Sequence, residues 1–236
     1  MRHLPNLITL ANLFCGCMAI VSVFKGDFDT AGILVIVATV LDFLDGFAAR
    51  MLKAYSDIGK QLDSLADMVT FGVLPGFMLY HIFGRENSGR MSDELLMAGQ
   101  YFMLIVTLFS ALRLAKFNID TRQTDSFIGV PTPANTLMVI SLGFMLQHDD
   151  FGCSGIIGNP IFLTVFAVVS SFLMVAEIPL ISLKFKAFGF SENKARYILL
   201  LTALILILLL RYAAPPVIII FYVLLSLIFP PKATTT

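Results

Sequence analysis

Residues 42–67 read DFLDGFAARMLKAYSDIGKQLDSLAD and lie between two long apolar runs of the chain. They contain the pattern D-x2-D-G-x2-A-R-x8-G-x3-D-x3-D, whose four aspartates are Asp42, Asp45, Asp63 and Asp67. A carboxylate beside hydrocarbon costs roughly 2.5–3.5 kcal/mol on insertion scales, so four cost on the order of 10 kcal/mol. The cluster therefore requires compensating positive charge, and two divalent cations would balance four carboxylates.

The spacing of the aspartates predicts two helical faces that meet. Asp42 and Asp45 are three residues apart and Asp63 and Asp67 are four apart, so each pair shares one face of a helix. A hairpin with its turn near residue 54 would pack the two helices antiparallel, with the faces opposed and all four carboxylates at matching depths. Oxygen ligands with no His or Cys nearby favour Mg²⁺ or Mn²⁺, and also suit Ca²⁺, rather than Zn²⁺. Two such ions would clamp a diphosphate.

The rest of the chain is apolar enough to belong to a membrane protein. Of its 236 residues, 58% are hydrophobic and 14% are charged, and apolar runs of spanning length recur throughout. We predict an all-α, polytopic transmembrane helical bundle of about eight spans, built as a single domain over residues 1–236. The catalytic core is predicted at about 5–185, with additional C-terminal spans at 195–229. The predicted spans are 6–24, 28–52, 58–84, 93–117, 132–148, 157–183, 195–211 and 214–229.

The last two predicted spans are short and meet near Pro215 and Pro216. They are therefore either two steep spans or a broken pair.

Basic residues sort to one side of this topology. Eight spans place both termini on the same side, and twelve of the 16 Lys and Arg residues then fall on that side. The other four are Lys25, Arg85, Arg90 and Arg211. The positive-inside rule predicts cytoplasmic termini and an acidic motif at the cytoplasmic face, so the active site would face the cytoplasm. We expect the membrane to be a prokaryotic plasma (inner) membrane.

The depth of the aspartates follows from the same topology. Asp42 lies 14 residues after Phe28, which is ~21 Å at 1.5 Å per residue. In a hydrocarbon core of ~30 Å, Asp42 is then ~9 Å short of the cytoplasmic boundary. A lipid and a water-soluble substrate could meet at this depth.

Small residues and one arginine complete the pattern. Gly46 and Ala49 leave room beside the helix backbone for a bulky group, and Arg50 offers a bidentate donor for a phosphate. Gly59 permits a tight turn or a close approach before the third span. Each of these residues taken alone could instead have a purely structural role, because small residues also pack helices and an arginine near a helix end can extend to the interface. The eight specified positions together favour one functional site.

The complete pattern resembles the signature of the CDP-alcohol phosphotransferases. These membrane enzymes use a CDP-linked substrate, release CMP and transfer a substituted phosphate to an alcohol. The resemblance implies that Asp42, Asp45 and Asp63 ligate a pair of divalent metal ions. It also implies that Asp67 contributes to the metal site and acts as the general base. The small residues Gly46 and Ala49 would together leave space for the cytidine nucleotide.

Further stretches resemble the phosphatidylserine synthase branch of that family. They are Leu62–Asp67 followed by Phe71-Gly72 and Pro75, then Arg113–Asn118, and then Phe127-x-Gly129-x-Pro131-x-Pro133. The N-terminal Pro5-Asn6-x2-Thr9-x2-Asn12 is a more general family feature, which implies that Asn6 and Thr9 flank the nucleotide. Together these stretches cover roughly residues 5–135.

Three polar residues end the fourth predicted span at the level of the aspartates. Arg113, Lys116 and Asn118 could bind a lipid phosphate or the carboxylate of an amino-acid acceptor, and we name them as candidate acceptor-binding residues. Ordinary positive-inside anchoring is the alternative. The Phe127–Pro133 run could be a rigid re-entry turn without substrate contact. Glu177, in the sixth predicted span, is an isolated intramembrane acid without an assigned role.

The resemblance implies a metal-dependent transfer of a phosphatidyl group from CDP-diacylglycerol to L-serine, giving phosphatidylserine and CMP. No Ser-His or Cys-His pair argues for a covalent intermediate, so direct attack is expected. One alternative is a sister transferase that uses glycerol 3-phosphate or an inositol acceptor. Another is an ion-coupled transporter, since intramembrane carboxylates also mark ion paths, although no internal repeat supports it. The expected partners are the two substrates and the bilayer, with a homodimer as a further expectation and no nucleic acid.

Overall fold

The chain is a bundle of helices in the computed structural model, which describes residues 3–120, 127–149, 151–181 and 189–230. The α-helices are α1 (Leu4–Phe24), α2 (Phe28–Met51), α3 (Asp57–Asp67), α4 (Leu74–Asn87), α5 (Asp93–Met103), α6 (Ile105–Ile119), α7 (Thr132–His148), α8 (Ser154–Ile157), α9 (Pro160–Val175), α10 (Phe190–Leu210) and α11 (Ala214–Ile228). Within these ranges no strand forms, and the extended pairing is limited to one bridge between Ile128 and Pro179. The all-α prediction is confirmed.

Five helical stretches of the described chain are long and apolar enough to cross a membrane. They are Leu4–Phe24, Phe28–Met51, Asp57–Asn87, Asp93–Ile119 and Asn193–Ile228. The helix Pro160–Val175 is apolar but shorter, and α7 has 17 residues. The chain is therefore a helical membrane protein, while the number of eight spans and their orientation remain predictions. Of the basic residues behind that orientation, five lie outside the described residues, namely Arg2, Arg122, Lys184, Lys186 and Lys232.

The hairpin around the aspartates forms where the sequence predicts it. α2 ends at Met51 and α3 begins at Asp57. Lys53 turns the chain with a φ of 49°. Ser56 then caps α3, because its Oγ accepts the N–H of Gly59 at 3.0 Å.

The packing of this hairpin differs from the prediction. α1 packs along α2 and along α3, whereas α2 and α3 scarcely contact each other. The backbones of α2 and α3 are therefore held mainly by α1, and the two faces approach each other through the side chains of Asp42, Asp63 and Asp67. A cleft lined by residues of α1, α2, the turn and α3 lies between the two helices.

α3 and α4 form one helical rod over Asp57–Asn87. The rod is interrupted by a π-helical turn at Met68–Val73, and Pro75 lies in the first turn of α4. α4 anchors the rod in the hydrophobic core through fully buried side chains that include Leu74, Met78 and Ile82. The aspartates of α3 thus stand on a rod whose far half is fixed.

The sixth predicted span, 157–183, is replaced by a shorter helix. α9 covers Pro160–Val175, and the chain leaves helical geometry at Ala176. The segment that follows pairs with residues 127–130 through backbone bonds, including Gly129 N–H to Ile178 O at 2.9 Å and Leu180 N–H to Phe127 O at 2.8 Å. Glu177 therefore follows the helix and does not lie inside it. Residues 182 and 183 of this predicted span, and 184 and 185 of the predicted core, lie outside the described residues.

The two C-terminal helices fold back on each other. Arg211 has a φ of 46°, and a 3-10 turn at Arg211–Ala213 separates α10 from α11. Leu199 and Leu225 lie on opposite sides of this turn and share one hydrophobic cluster. The pair is therefore an antiparallel hairpin, as expected for two separate helices.

Candidate active site

Three of the predicted aspartates converge on one point. Asp42 comes from α2, and Asp63 and Asp67 come from α3. One carboxylate oxygen from each lies within 4.8 Å of the others, and all three side chains are half-buried. The sequence places these residues up to 25 positions apart, and the turn at 52–56 brings them together.

Asp45 lies beside this group but uses one oxygen elsewhere. It is 5% exposed, and its Oδ2 accepts the hydroxyl of Thr9 at 2.5 Å. A charge-assisted bond of this kind fixes the carboxylate more firmly than a neutral bond would. Thr9, which is 3% exposed, therefore orients Asp45 from α1, while the other Asp45 oxygen is not fixed by this bond.

The donor set fits a hard divalent cation. Three carboxylates with oxygen atoms this close repel one another unless positive charge lies between them. The Oδ1 atom of Asp67 is buried and has no hydrogen-bond partner in the described part of the chain. A buried oxygen without a donor is costly, and a coordinated cation would satisfy it. Asp42, Asp63 and Asp67 are thus the residues that could hold a metal ion, with Asp45 next to them.

Three of the four aspartates, Asp42, Asp45 and Asp63, line a cleft of about 350 Å³. Its wall comes from α1, α2, the turn and α3, and is lined by Pro5, Asn6, Thr9, Asp42, Asp45, Gly46, Ala49, Ala54, Tyr55, Ser56, Gly59, Lys60 and Asp63. Five residues predicted to bind the CDP-lipid are therefore present in one wall, namely Asn6, Thr9, Gly46, Ala49 and Gly59. The cleft is of the size usual for small-molecule sites.

The two glycines of the pattern serve different purposes. A Cβ added to Gly46 would meet only Arg50 Nη1, at 3.9 Å, so Gly46 faces open space in the cleft. A Cβ at Gly59 would lie 3.0 Å from Ser56 Oγ and 3.1 Å from Asn6 Oδ1. Gly46 thus leaves room for a ligand, and Gly59 permits a close approach of α1 to the first turn of α3.

The cleft has one predicted cation near it, Arg50, and one that was not predicted, Lys60. Arg50 is exposed and is not among the lining residues, although its guanidinium lies near Gly46. Lys60 and Tyr55 do line the cleft and were not predicted. The spacing of Lys60, three residues before Asp63, could have indicated it, because that spacing puts both on one helix face. Nothing in the sequence marks Tyr55.

Arg113 is the buried cation next to the aspartates. Arg113 is 6% exposed, and the negative charge of Asp67 acts on its guanidinium. The guanidinium lies 5.1 Å from the ring centroid of Phe117, in cation–π geometry. Its Nε and Nη2 atoms are buried without a hydrogen-bond partner in the described residues. Arg113 therefore keeps donors free, as expected for a residue that binds an anion.

The other two candidate acceptor residues differ from Arg113. Lys116 is exposed, and it lines a small cavity together with Arg113, Asp120 and Glu177. Asn118 Nδ2 donates to Ser64 Oγ at 2.8 Å, which ties the end of α6 to α3 beside Asp63. Asn118 is thus engaged in a structural contact.

The Phe127–Pro133 run forms a rigid turn, as one of the two interpretations of its sequence predicts. Gly129 has a φ of 73°, and a side chain there would collide with the carbonyl oxygen of Met174. Val130 N–H donates to Leu173 O at 2.9 Å, which fastens the turn to α9. Ile128 also lines the small cavity beside Arg113, so the turn borders the candidate acceptor region.

Sequence comparison gives the class of protein. Residues 2–175 match the family described as CDP-alcohol phosphatidyltransferase. The chain belongs to this family, and the resemblance drawn from the aspartate pattern is confirmed.

Several relatives share one name. A CDP-diacylglycerol–serine O-phosphatidyltransferase of Bacillus subtilis (strain 168) is 35% identical over 178 residues, which is 75% of this chain and 89% of the relative. One of Helicobacter pylori (strain J99) is 40% identical over 138 residues, 58% of this chain and 55% of the relative. One of Methanocaldococcus jannaschii is 30% identical over 175 residues, 74% of this chain and 72% of the relative. The chain is thus similar to a named branch of the family.

Proposed function

We propose that this protein transfers the phosphatidyl group of CDP-diacylglycerol to L-serine and releases CMP. The observation that carries the proposal is the convergence of Asp42, Asp63 and Asp67, the first two of which line a cleft, in a member of this family. The relatives' name supports serine as the acceptor. The transporter alternative loses its basis, because family membership explains the carboxylates.

The cleft is proposed as the site for the CDP end of the lipid substrate. The open space at Gly46 and Ala49 would accept the nucleotide against α2, while Asn6 and Thr9 border it from α1. Lys60 would contact a phosphate from within the cleft, and Arg50 from its rim.

We propose that two divalent ions, Mg²⁺ or Mn²⁺, are held by the four aspartates Asp42, Asp45, Asp63 and Asp67. The same oxygen ligands would also accept Ca²⁺ in place of either ion. When bound, such ions neutralise the diphosphate and the charge that develops on the leaving nucleotide. Thr9 keeps Asp45 oriented through the 2.5 Å bond.

The proposed chemical step is a direct displacement. The serine hydroxyl oxygen forms a bond to the lipid-side phosphorus, and the bond from that phosphorus to the bridging oxygen of CMP breaks. Asp67 takes the hydroxyl proton as general base, a role that requires hydrogen-bond reach and an accessible lone pair. No protein donor occupies Asp67 Oδ1 within the described residues, which supports this role for Asp67.

Arg113 is proposed to bind the serine carboxylate. Its free Nε and Nη2 donors suit a bidentate carboxylate, and its proximity to Asp67 would put the hydroxyl near the base. Lys116 would add positive charge from the exposed side of the same region. Asn118 contributes by holding α6 to α3.

The wider setting is also part of the proposal. The split of basic residues supports cytoplasmic termini and a cytoplasm-facing site in a prokaryotic inner membrane. Eight spans, a catalytic core at about 5–185 and a homodimer remain predictions.

The test is CMP release by the purified protein with one acceptor at a time. CDP-diacylglycerol is supplied with serine, glycerol 3-phosphate or inositol under matched conditions. We expect turnover with serine, its loss on addition of a chelator, and its return with Mg²⁺ or Mn²⁺. Turnover with either other acceptor and none with serine would assign the chain to a sister transferase. Full activity in metal-free buffer would refute the metal-dependent mechanism.

A further inference from the structure

The π-helical turn Met68–Val73 begins directly after Asp67. In a regular α-helix the N–H of residue 75 would bond to the carbonyl of Phe71, but Pro75 has no N–H. The N–H of Leu74 instead reaches back five residues to Val69 O. Such wide turns are rare in proteins, and those that do occur are often found at functional sites.

Threonine hydroxyls from two neighbouring helices bond to the carbonyls of this turn. Thr136 Oγ1 of α7 donates to Phe71 O at 3.0 Å and also lies 2.9 Å from Thr132 O in its own helix. Thr107 Oγ1 of α6 donates to Gly72 O at 3.1 Å. Thr136 is fully buried, so water cannot replace its hydroxyl at Phe71.

The wide turn determines where the aspartates of α3 point. One additional residue in a turn rotates the preceding helix face by about 100° relative to the following one, since an α-helix has 3.6 residues per turn. α4 is anchored in the core, so this rotation falls on Asp63 and Asp67. With regular α geometry at the turn, their carboxylates would face away from Asp42.

We propose that Thr136 and Thr107 are positioning residues that hold the wide turn and thereby aim Asp63 and Asp67 at Asp42. The proposal rests on the metal-dependent function proposed above. Neither threonine belongs to the cleft or to the aspartate cluster, so each would act on the metal site through the rod alone.

The test measures Mn²⁺ binding without substrate, by electron paramagnetic resonance on the purified protein, together with thermal unfolding. Thr136→Val and Thr107→Val keep the shape of the side chain and remove the hydroxyl. We expect each to weaken Mn²⁺ binding on the order of 10-fold, as substitutions behind metal ligands do. Thr136→Ser keeps a hydroxyl and should restore binding. Thr39→Val is the matched control, because the Thr39 hydroxyl bonds to Val35 O of its own helix at 2.8 Å.

Pro75→Ala provides a second variant that does not remove a hydrogen bond. It returns an N–H to residue 75 and should favour regular α geometry. We expect weaker Mn²⁺ binding with no fall in the unfolding temperature, a combination that loss of structure cannot produce. Wild-type affinity in Thr136→Val, Thr107→Val and Pro75→Ala would overturn the positioning role alone. A wild-type protein that binds no Mn²⁺ would overturn both this role and the metal-dependent function.

Discussion

Arg113→Ala should weaken the use of serine much more than the use of the CDP-lipid. The guanidinium is buried, and two of its nitrogen atoms lack partners within the described residues. In the proposed complex these nitrogens bind the serine carboxylate. The variant therefore removes the main donors to one substrate while leaving the cleft wall at Gly46 unchanged.

The size of the effect follows from the kind of bond that is lost. A hydrogen bond to a charged group contributes about 1.5–3 kcal/mol. At 1.4 kcal/mol per factor of ten, this corresponds to roughly 10- to 150-fold in affinity. We expect the KM for serine to rise within this range and the KM for CDP-diacylglycerol to change less than about threefold.

Two matched variants separate charge, geometry and location. Arg113→Lys keeps the charge but not the planar, forked donor, so it should recover only part of the serine affinity. Lys116→Ala removes an exposed cation of the same region and should have a smaller effect than Arg113→Ala, since exposed charges are screened by solvent. The assay is CMP release at varied serine and fixed saturating CDP-lipid, and then the reverse. Equal increases in both KM values, or a larger effect of Lys116→Ala, would refute the assignment of Arg113 to the acceptor.

Three further predictions follow from the site. Asp67→Asn should lower kcat by about 10²–10⁴ while CDP-lipid binding persists, measured by turnover and by equilibrium binding; near-normal turnover would assign the base to another residue. Gly46→Leu should fill the cleft rather than disturb packing, so the KM for CDP-diacylglycerol should rise at an unchanged unfolding temperature, and an unchanged KM would contradict the nucleotide site. A cysteine at Ser56, in a cysteine-free background, should react with a membrane-impermeant reagent only from the cytoplasmic side, and labelling from outside would reverse the topology.

The hairpin illustrates where prediction from sequence succeeds and where it stops. The turn near residue 54 and the shared faces of each aspartate pair depend on helical periodicity and on local turn geometry, and both are present. The helix that packs against this hairpin could not be predicted in the same way. That α1 packs against both α2 and α3 depends on how three helices share one interface, and spacing along the chain carries no information about it.

The functional side chains divide in the same way. Gly46 and Ala49 could be assigned to the site because they lie one and four residues after Asp45 on the same helix, and Gly59 because it lies four residues before Asp63. Lys60 and Tyr55 also line the cleft, but the sequence did not single out either residue as part of the site. Arg50, in contrast, fits the motif but is exposed and does not line the cleft, although its guanidinium lies near Gly46.

The sequence alone determined that this chain is a helical membrane protein with a cluster of carboxylates on two successive helices, and it predicted a metal site there. Those conclusions rest on composition, helical period and the cost of charge near hydrocarbon, which are properties of short segments. Only the tertiary structure decided that Thr9 holds Asp45, that Arg113 is buried beside Asp67, and that Glu177 lies outside a helix. These facts join residues far apart in the chain, and such contacts exist only once separate helices have packed against one another.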